Sequence, residues 1–239
     1  MGRQWKARRG HRWPVVGAFT RFWADDKGLS IFSALLLIVA FVLPPLMSTG
    51  SGRSLLGDVV YALLLISGVQ ALAKGTLTRR LLMPVAVITI AMDLGSWVLP
   101  VAEPWVQGTS LVSLLLLLVV VLVQTLRSGP ITHHRIQGAV AAYVLLGVIW
   151  AYAYSLIAIL RPGAFSGAIS PADGPRAWLY FSFVTLTTVG YGDVLPVHPT
   201  ARSLAVLEAV TGPLYLAILI SRLVSLAVAP VQRAGPGGE

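Results

Sequence analysis

The amino-acid sequence predicts an all-α membrane protein with six transmembrane helices and, between the last two, a short re-entrant helix followed by a loop. Three observations lead to this. Of the 239 residues, 56% are apolar and 11% charged, with a mean hydropathy of +0.80. A soluble domain carries about 25% charged residues. Six apolar runs lie at roughly 29–48, 55–73, 80–100, 109–126, 136–160 and 201–228. Each approaches the ~20 residues that a helix needs to cross the hydrocarbon. A seventh run, 176–187, is too short to cross, and a helix ending at membrane depth survives only where protein buries it.

Charge sets the orientation. The net charge of +9 does not point to nucleic acid, because the basic residues sit in short segments between the apolar runs. With the N-terminus inside, the inner segments hold Arg3, Lys6, Arg8, Arg9, Arg12, Arg21, Lys27, Lys74, Arg79, Arg80, Arg127, Arg135, Arg222 and Arg233, which is 14 of the 18 basic residues. Arg53, Arg161, Arg176 and Arg202 fall outside. The excess predicts cytoplasmic termini and places the loop after the short helix on the outer face. Residues 1–28 are basic and aromatic and lack the apolar core of a cleaved signal peptide. Within them 13–24 reads as an interfacial amphipathic helix, and the flanking positive charge suits anionic lipid headgroups. The absence of cysteine excludes disulfides, thiolate metal sites and thiol catalysis. Fifteen arginines against three lysines, with no asparagine, suggest a GC-rich bacterial source, and hence a plasma-membrane protein.

Gly129 and Pro130 break the fourth run. The chain is therefore divided into a basic interfacial segment (1–28), a peripheral four-helix domain (29–130), a domain built on the last two spans (131–229) and a short tail (230–239). About ten residues follow the last span, so no nucleotide- or calcium-sensing domain is expected after it.

The chemistry is concentrated at residues 188–193, Thr-Val-Gly-Tyr-Gly-Asp, directly after the short helix. Gly190 and Gly192 can adopt positive φ without a Cβ clash. That freedom lets successive carbonyls face one axis, which a regular strand cannot do. The stretch from Pro175 to Asp193 closely resembles the pore helix and selectivity filter of tetrameric potassium channels, whose Thr-Val-Gly-Tyr-Gly carbonyls replace the hydration shell of the ion. The resemblance covers about 131–228. It implies that the carbonyls of Thr188, Val189, Gly190 and Tyr191, with the Thr188 hydroxyl and Gly192 completing the loop, hold K+ as the permeant ion. No organic cofactor and no enzymatic chemistry are implied. One chain supplies one filter strand, so a closed ring implies a homotetrameric pore.

The same resemblance assigns supporting residues. Asp193 follows the filter, and Tyr180 stands where relatives place an aromatic donor to it. Val184 stands where some relatives place a carboxylate, so that carboxyl pair is absent. Thr187 ends the short helix, which Asp173 or Gly174 can cap and Pro175 can begin. Gly212 resembles the family's hinge glycine, Pro213 removes a backbone donor beside it, and Leu216, Ile220 and Val224 recur at helical spacing as a candidate hydrophobic constriction.

Six spans with a filter between the last two is the layout of voltage-gated potassium channels, whose fourth span carries a basic residue at every third position. Here 109–126 has no charge. Charge moving through the field is what couples voltage to opening, so classical voltage gating is not expected. Asp58 and Asp93 are remnant countercharges, a regulatory ion site, carboxylates near the interface, or carboxylates paired with Arg79 or Arg80. Glu208, one turn before Gly212, either bonds the back of the short helix at Ser182 or Thr185 or makes an inter-subunit contact. His133 and His134 are a pH sensor or simply solvated. The aromatics Tyr143, Trp150, Tyr152 and Tyr154 read as packing. The alternatives to a potassium channel are a non-selective monovalent cation channel of the same architecture and a potassium transporter subunit.

Overall fold

A computed structural model describes residues 27–46, 55–72, 76–99, 102–125, 133–167, 169 and 174–233. The first helix begins as α1 (Lys27–Leu37), widens through a π-helical turn (Ile38–Val42) and ends in one more turn (Leu43–Leu46). There follow α2 (Leu55–Leu72), α3 (Thr76–Gly95), α4 (Glu103–Thr125), α5 (His133–Leu160), β1 (Phe165–Gly167), α6 (Gly174–Leu186), β2 (Val194–Pro196) and α7 (Pro199–Arg233). The π-helical turn has a local cause. Pro44 and Pro45 cannot donate, so the carbonyls one turn earlier lose their usual partners and the Leu43 N–H reaches back to Ile38 O instead.

Among the described residues, four helical segments are long and apolar enough to cross a membrane: Gly28–Pro45, Glu103–Thr125, Arg135–Leu160 and Pro199–Arg222. Leu55–Ala71 is a shorter apolar helix, and α3 carries Arg79, Arg80 and Asp93 among its apolar residues. The described fold is thus mostly helical and built on apolar spans, as a membrane protein requires.

The purely helical expectation needs one correction. β1 and β2 form a two-stranded antiparallel ribbon, with Phe165 opposite Pro196 and Gly167 opposite Val194. Three-residue strands leave too short a pattern to be read as alternation. The ribbon joins the chain before α6 to the chain just after the Gly-Tyr-Gly loop. Val197 N–H and His198 N–H both donate to Ala164 O, at 2.9 and 3.1 Å, extending the tie.

Phe32, Leu36, Leu64, Leu65, Leu114, Leu117 and Val121 bury a core among the first four helices, and it runs without interruption into Leu145, Tyr154, Trp178 and Phe181 around α5 and α6. Phe41, from the π-helical turn, stacks at a tilt on Phe183 of α6, with centroids 4.9 Å apart. The short helix is therefore buried from the side of the first helix as well as by α5 and α7. Its approach to α5 is closest at Gly147, where a Cβ would lie 2.6 Å from the Phe183 ring. Gly147→Leu is expected to force α6 away from α5 and to destabilise the protein by about 1–3 kcal/mol, the usual penalty for overpacking. The check is a lowered thermal midpoint in detergent, with an equivalent substitution at the exposed Val140 as the control.

Candidate functional site

The way α6 ends builds the site. The last four carbonyls of a helix have no partners within it. Here the following residues supply donors to three of them, Phe183, Val184 and Thr185. Thr187 N–H donates to Phe183 O at 3.0 Å, and the Thr187 hydroxyl donates to the same carbonyl at 2.6 Å. Thr188 N–H donates to Thr185 O at 2.9 Å, and Val189 N–H donates to Val184 O at 2.9 Å. These last two bonds are the paired closures of a Schellman motif, with Thr188 at the left-handed position that glycine usually fills. Thr188 has φ 61°. For a β-branched residue this conformation is strained, at roughly 1–3 kcal/mol, and such strain collects at functional sites. Val184 contributes through its backbone carbonyl, to which Gly190 N–H also points at 3.3 Å.

Beyond the cap, Gly190 and Gly192 have φ 60° and 79°, while Val189 and Tyr191 keep ordinary negative values. Handedness therefore alternates from Thr188 to Gly192, a pattern that turns successive backbone groups toward one side. Among the described residues, no backbone N–H donates to any carbonyl of Thr188–Gly192. The side chains of Val189 and Tyr191 are exposed in the single chain. Five consecutive carbonyls without backbone donors are an oxygen-rich strand awaiting a partner outside the chain.

Around this strand the structure places most of the residues singled out from sequence. Tyr180 stacks on Tyr191 with planes 4° apart and centroids at 6.4 Å. A hydrogen bond to Asp193 raises the Tyr180 phenol above its ordinary pKa. The Asp193 carboxylate also accepts from Val194 N–H at 3.1 Å, at the start of β2. α7 runs unbroken through Gly212 and Pro213. A Cβ on Gly212 would lie 1.9 Å from Leu186 O, so this glycine is where α7 touches the end of α6. Leu216 and Ile220 are exposed, and the side chain of Val224 lies outside the described residues, as do the capping residue Asp173 and the side chains of His133 and His134.

Glu208 is fully buried against the back of α6. Ser182 Oγ lies 2.6 Å from its Oε1, while Thr185 instead donates to Phe181 O within its own helix. Tyr154 of α5, read from sequence as packing, donates its hydroxyl to Glu208 Oε2. Its helical position offered one signal: Gly147 and Tyr154 lie two turns apart, hence on one face of α5.

The two acids of the peripheral helices form a separate group. Asp58 is buried and accepts from Trp97 Nε1 at 2.9 Å. Pairing with Arg79 or Arg80 is ruled out. Those residues begin α3 and Asp93 ends it, about 20 Å away at 1.5 Å per residue, and Trp97 holds Asp58 at that same far end. Nearby, Tyr61 donates to Ser110 O at 3.4 Å and stacks on Tyr152. Among the described residues, no group of three or more His, Cys, Asp or Glu is arranged to hold a metal ion.

Comparison with known proteins falls on the same half of the chain. Residues 142–229 match the family model described as an ion channel. Two pore potassium channel c of Oryza sativa subsp. japonica is 34% identical over 84 residues, covering 35% of this chain and 17% of that protein. The inward rectifier potassium channel Kirbac3.1 of Paramagnetospirillum magnetotacticum is 35% identical over 83 residues, covering 33% of this chain and 25% of that protein. Two-pore potassium channel 4 of Arabidopsis thaliana is 46% identical over 46 residues, covering 19% and 16%. The chain thus spans a quarter or less of the length of these curated relatives. No solved structure matches it.

The Tyr180–Asp193 pairing has a measurable sign. The neutral phenol is the donor, so the bond is intact below the phenol's pKa and is lost as pH rises through that raised value. Asp193→Asn is expected to let Tyr180 ionise at lower pH. Tyrosinate absorbance checks this, with Tyr180→Phe identifying the component; an unchanged titration would remove the pairing.

Proposed function

We propose that this chain is one subunit of a potassium-selective channel that conducts passively as a homotetramer, with six spans per chain and K+ as the permeant ion. The single observation that carries this reading is the strand Thr188–Gly192, whose alternating handedness and five carbonyls without backbone donors suit the stripping and replacement of a cation's hydration shell. The match of residues 142–229 to the ion-channel family model and the similarity of this segment to potassium channels support it.

One strand cannot surround an ion, and the exposure of Val189, Tyr191 and much of α7 is accounted for by three further copies around a common axis. Tyr180, Thr187 and Asp193 brace the strand from outside that axis, and Val184 does so through its carbonyl. Leu216, Ile220 and Val224 line the inner end of α7 as a hydrophobic constriction. The charge distribution orients the protein with the filter outward, the termini in the cytoplasm and the N-terminal basic segment against anionic lipid of the plasma membrane.

The channel is not classically voltage-gated. α4 has Glu103 in its first turn and no basic residue along its length. A sensor needs charges in that position, at about 2.3 kcal/mol per charge per 100 mV.

In liposomes under mixed sodium and potassium gradients, the reversal potential is expected to follow potassium. Equal permeability to the two ions would overturn the selectivity, in favour of a non-selective cation channel. Across a wide voltage range no gating current is expected, and several elementary charges moving per channel would overturn the second claim.

A further inference from the structure

Glu208 is fully buried on α7, and the groups around it are few. From α5, Tyr154 donates to its Oε2 and Tyr143 is the other titratable side chain within electrostatic reach. From α6, only the Ser182 hydroxyl meets it. On α7 itself the nearest basic residue on the N-terminal side, Arg202, is exposed and donates to Pro196 O. No basic side chain among the described residues pairs with Glu208.

A count of protons then decides its state. Ser182 Oγ lies 2.6 Å from Glu208 Oε1 and 2.7 Å from Gly147 O. Both separations are those of hydrogen bonds, and each requires a proton between the two oxygens. A serine hydroxyl has one proton to give, and the Gly147 carbonyl has none. If Glu208 were ionised, one of the two contacts would press lone pair against lone pair. A proton on Glu208 Oε1 completes the set. Tyr154 then donates to Glu208, Glu208 donates to Ser182, and Ser182 donates to the Gly147 carbonyl.

We propose that Glu208 is a neutral carboxylic acid that positions α6, tying α5, α6 and α7 together through one directional chain of hydrogen bonds. Its consequence for conduction rests on the potassium-channel reading; its protonation does not. The chain meets α6 at Ser182, two residues before the Val184 carbonyl that receives Val189 and Gly190, so it acts on the filter through α6. Loss of the proton leaves the single Ser182 proton to serve two acceptors, so the directional chain is broken at Glu208 or at Gly147, and it places a charge where no cation faces it.

The test uses the full chain reconstituted in liposomes. At neutral pH the infrared spectrum of the wild type is expected to show a protonated carboxyl C=O band that Glu208→Gln lacks. The Gln amide can donate to Ser182 and accept from Tyr154, so this variant should keep potassium flux and selectivity within about twofold of wild type, and keep them at alkaline pH, where wild-type flux declines. Glu208→Ala and Tyr154→Phe should each lower potassium-over-sodium selectivity about tenfold, the scale of losing a buried hydrogen-bond partner. Tyr154→Phe keeps the ring and carries the test if Glu208→Ala fails to assemble. Absence of the carboxyl band, or a Gln variant as impaired as the Ala variant, overturns the proposal. A wild type that passes no potassium would overturn the channel reading, while the infrared result would still decide the protonation.

Discussion

A helix end leaves carbonyls that nothing within the helix can satisfy, and the rest of this site follows from how α6 meets that demand. Its terminal carbonyls are taken by the N–H groups of Thr187, Thr188, Val189 and Gly190. Those residues are therefore folded back onto the helix end before they can be anything else. Their own carbonyls are left facing away, unbonded to the backbone. The cap and the Thr188–Gly192 strand are one structure, in which donors point inward to the helix and acceptors point outward.

This economy places stress on particular positions. Thr188 serves as the left-handed cap residue despite its branched Cβ, because its carbonyl and hydroxyl belong to the strand that follows. The helix end can be held so firmly only if its neighbours come close. Gly147 and Gly212 permit that on two sides, and the Phe41–Phe183 contact closes a third. The polar link through Ser182 lies between these contacts, where packing fixes the donor and acceptor distances.

Much of this was legible in the sequence, for identifiable reasons. Apolar runs separated by basic loops are a long-range signal; the largest offsets from the expected runs are at the start of α4, which begins at Glu103 because Pro104 suits a first turn, and at the C-terminal ends of α3 and α7. The positive φ of Gly190 and Gly192 was legible because glycine spacing reports backbone handedness directly. What escaped notice depends on contacts between distant segments. Tyr154 lies 54 residues from Glu208, and nothing in its local pattern separates it from Trp150 or Tyr152. Thr188 as a left-handed residue contradicts its propensity. Gly212 was legible as a special position, but only the opposing Leu186 carbonyl reveals the contact that excludes a side chain. Of the readings open for the acids of the peripheral helices, only pairing with Arg79 or Arg80 is decided: those arginines lie near one end of α3 and Asp93 near the other, where Asp58 meets an indole.

The ribbon of β1 and β2 has a consequence for the loop as a whole. By pairing Phe165–Gly167 with Val194–Pro196, it pins both ends of the segment that contains α6 and the Gly-Tyr-Gly strand. A loop with clamped ends has fewer shapes to explore than one with free ends, and the loss is already borne when the ribbon forms. The Thr188–Gly192 strand is thus strung across a closed frame, held by the ribbon at one end and by the tip of α6 at the other.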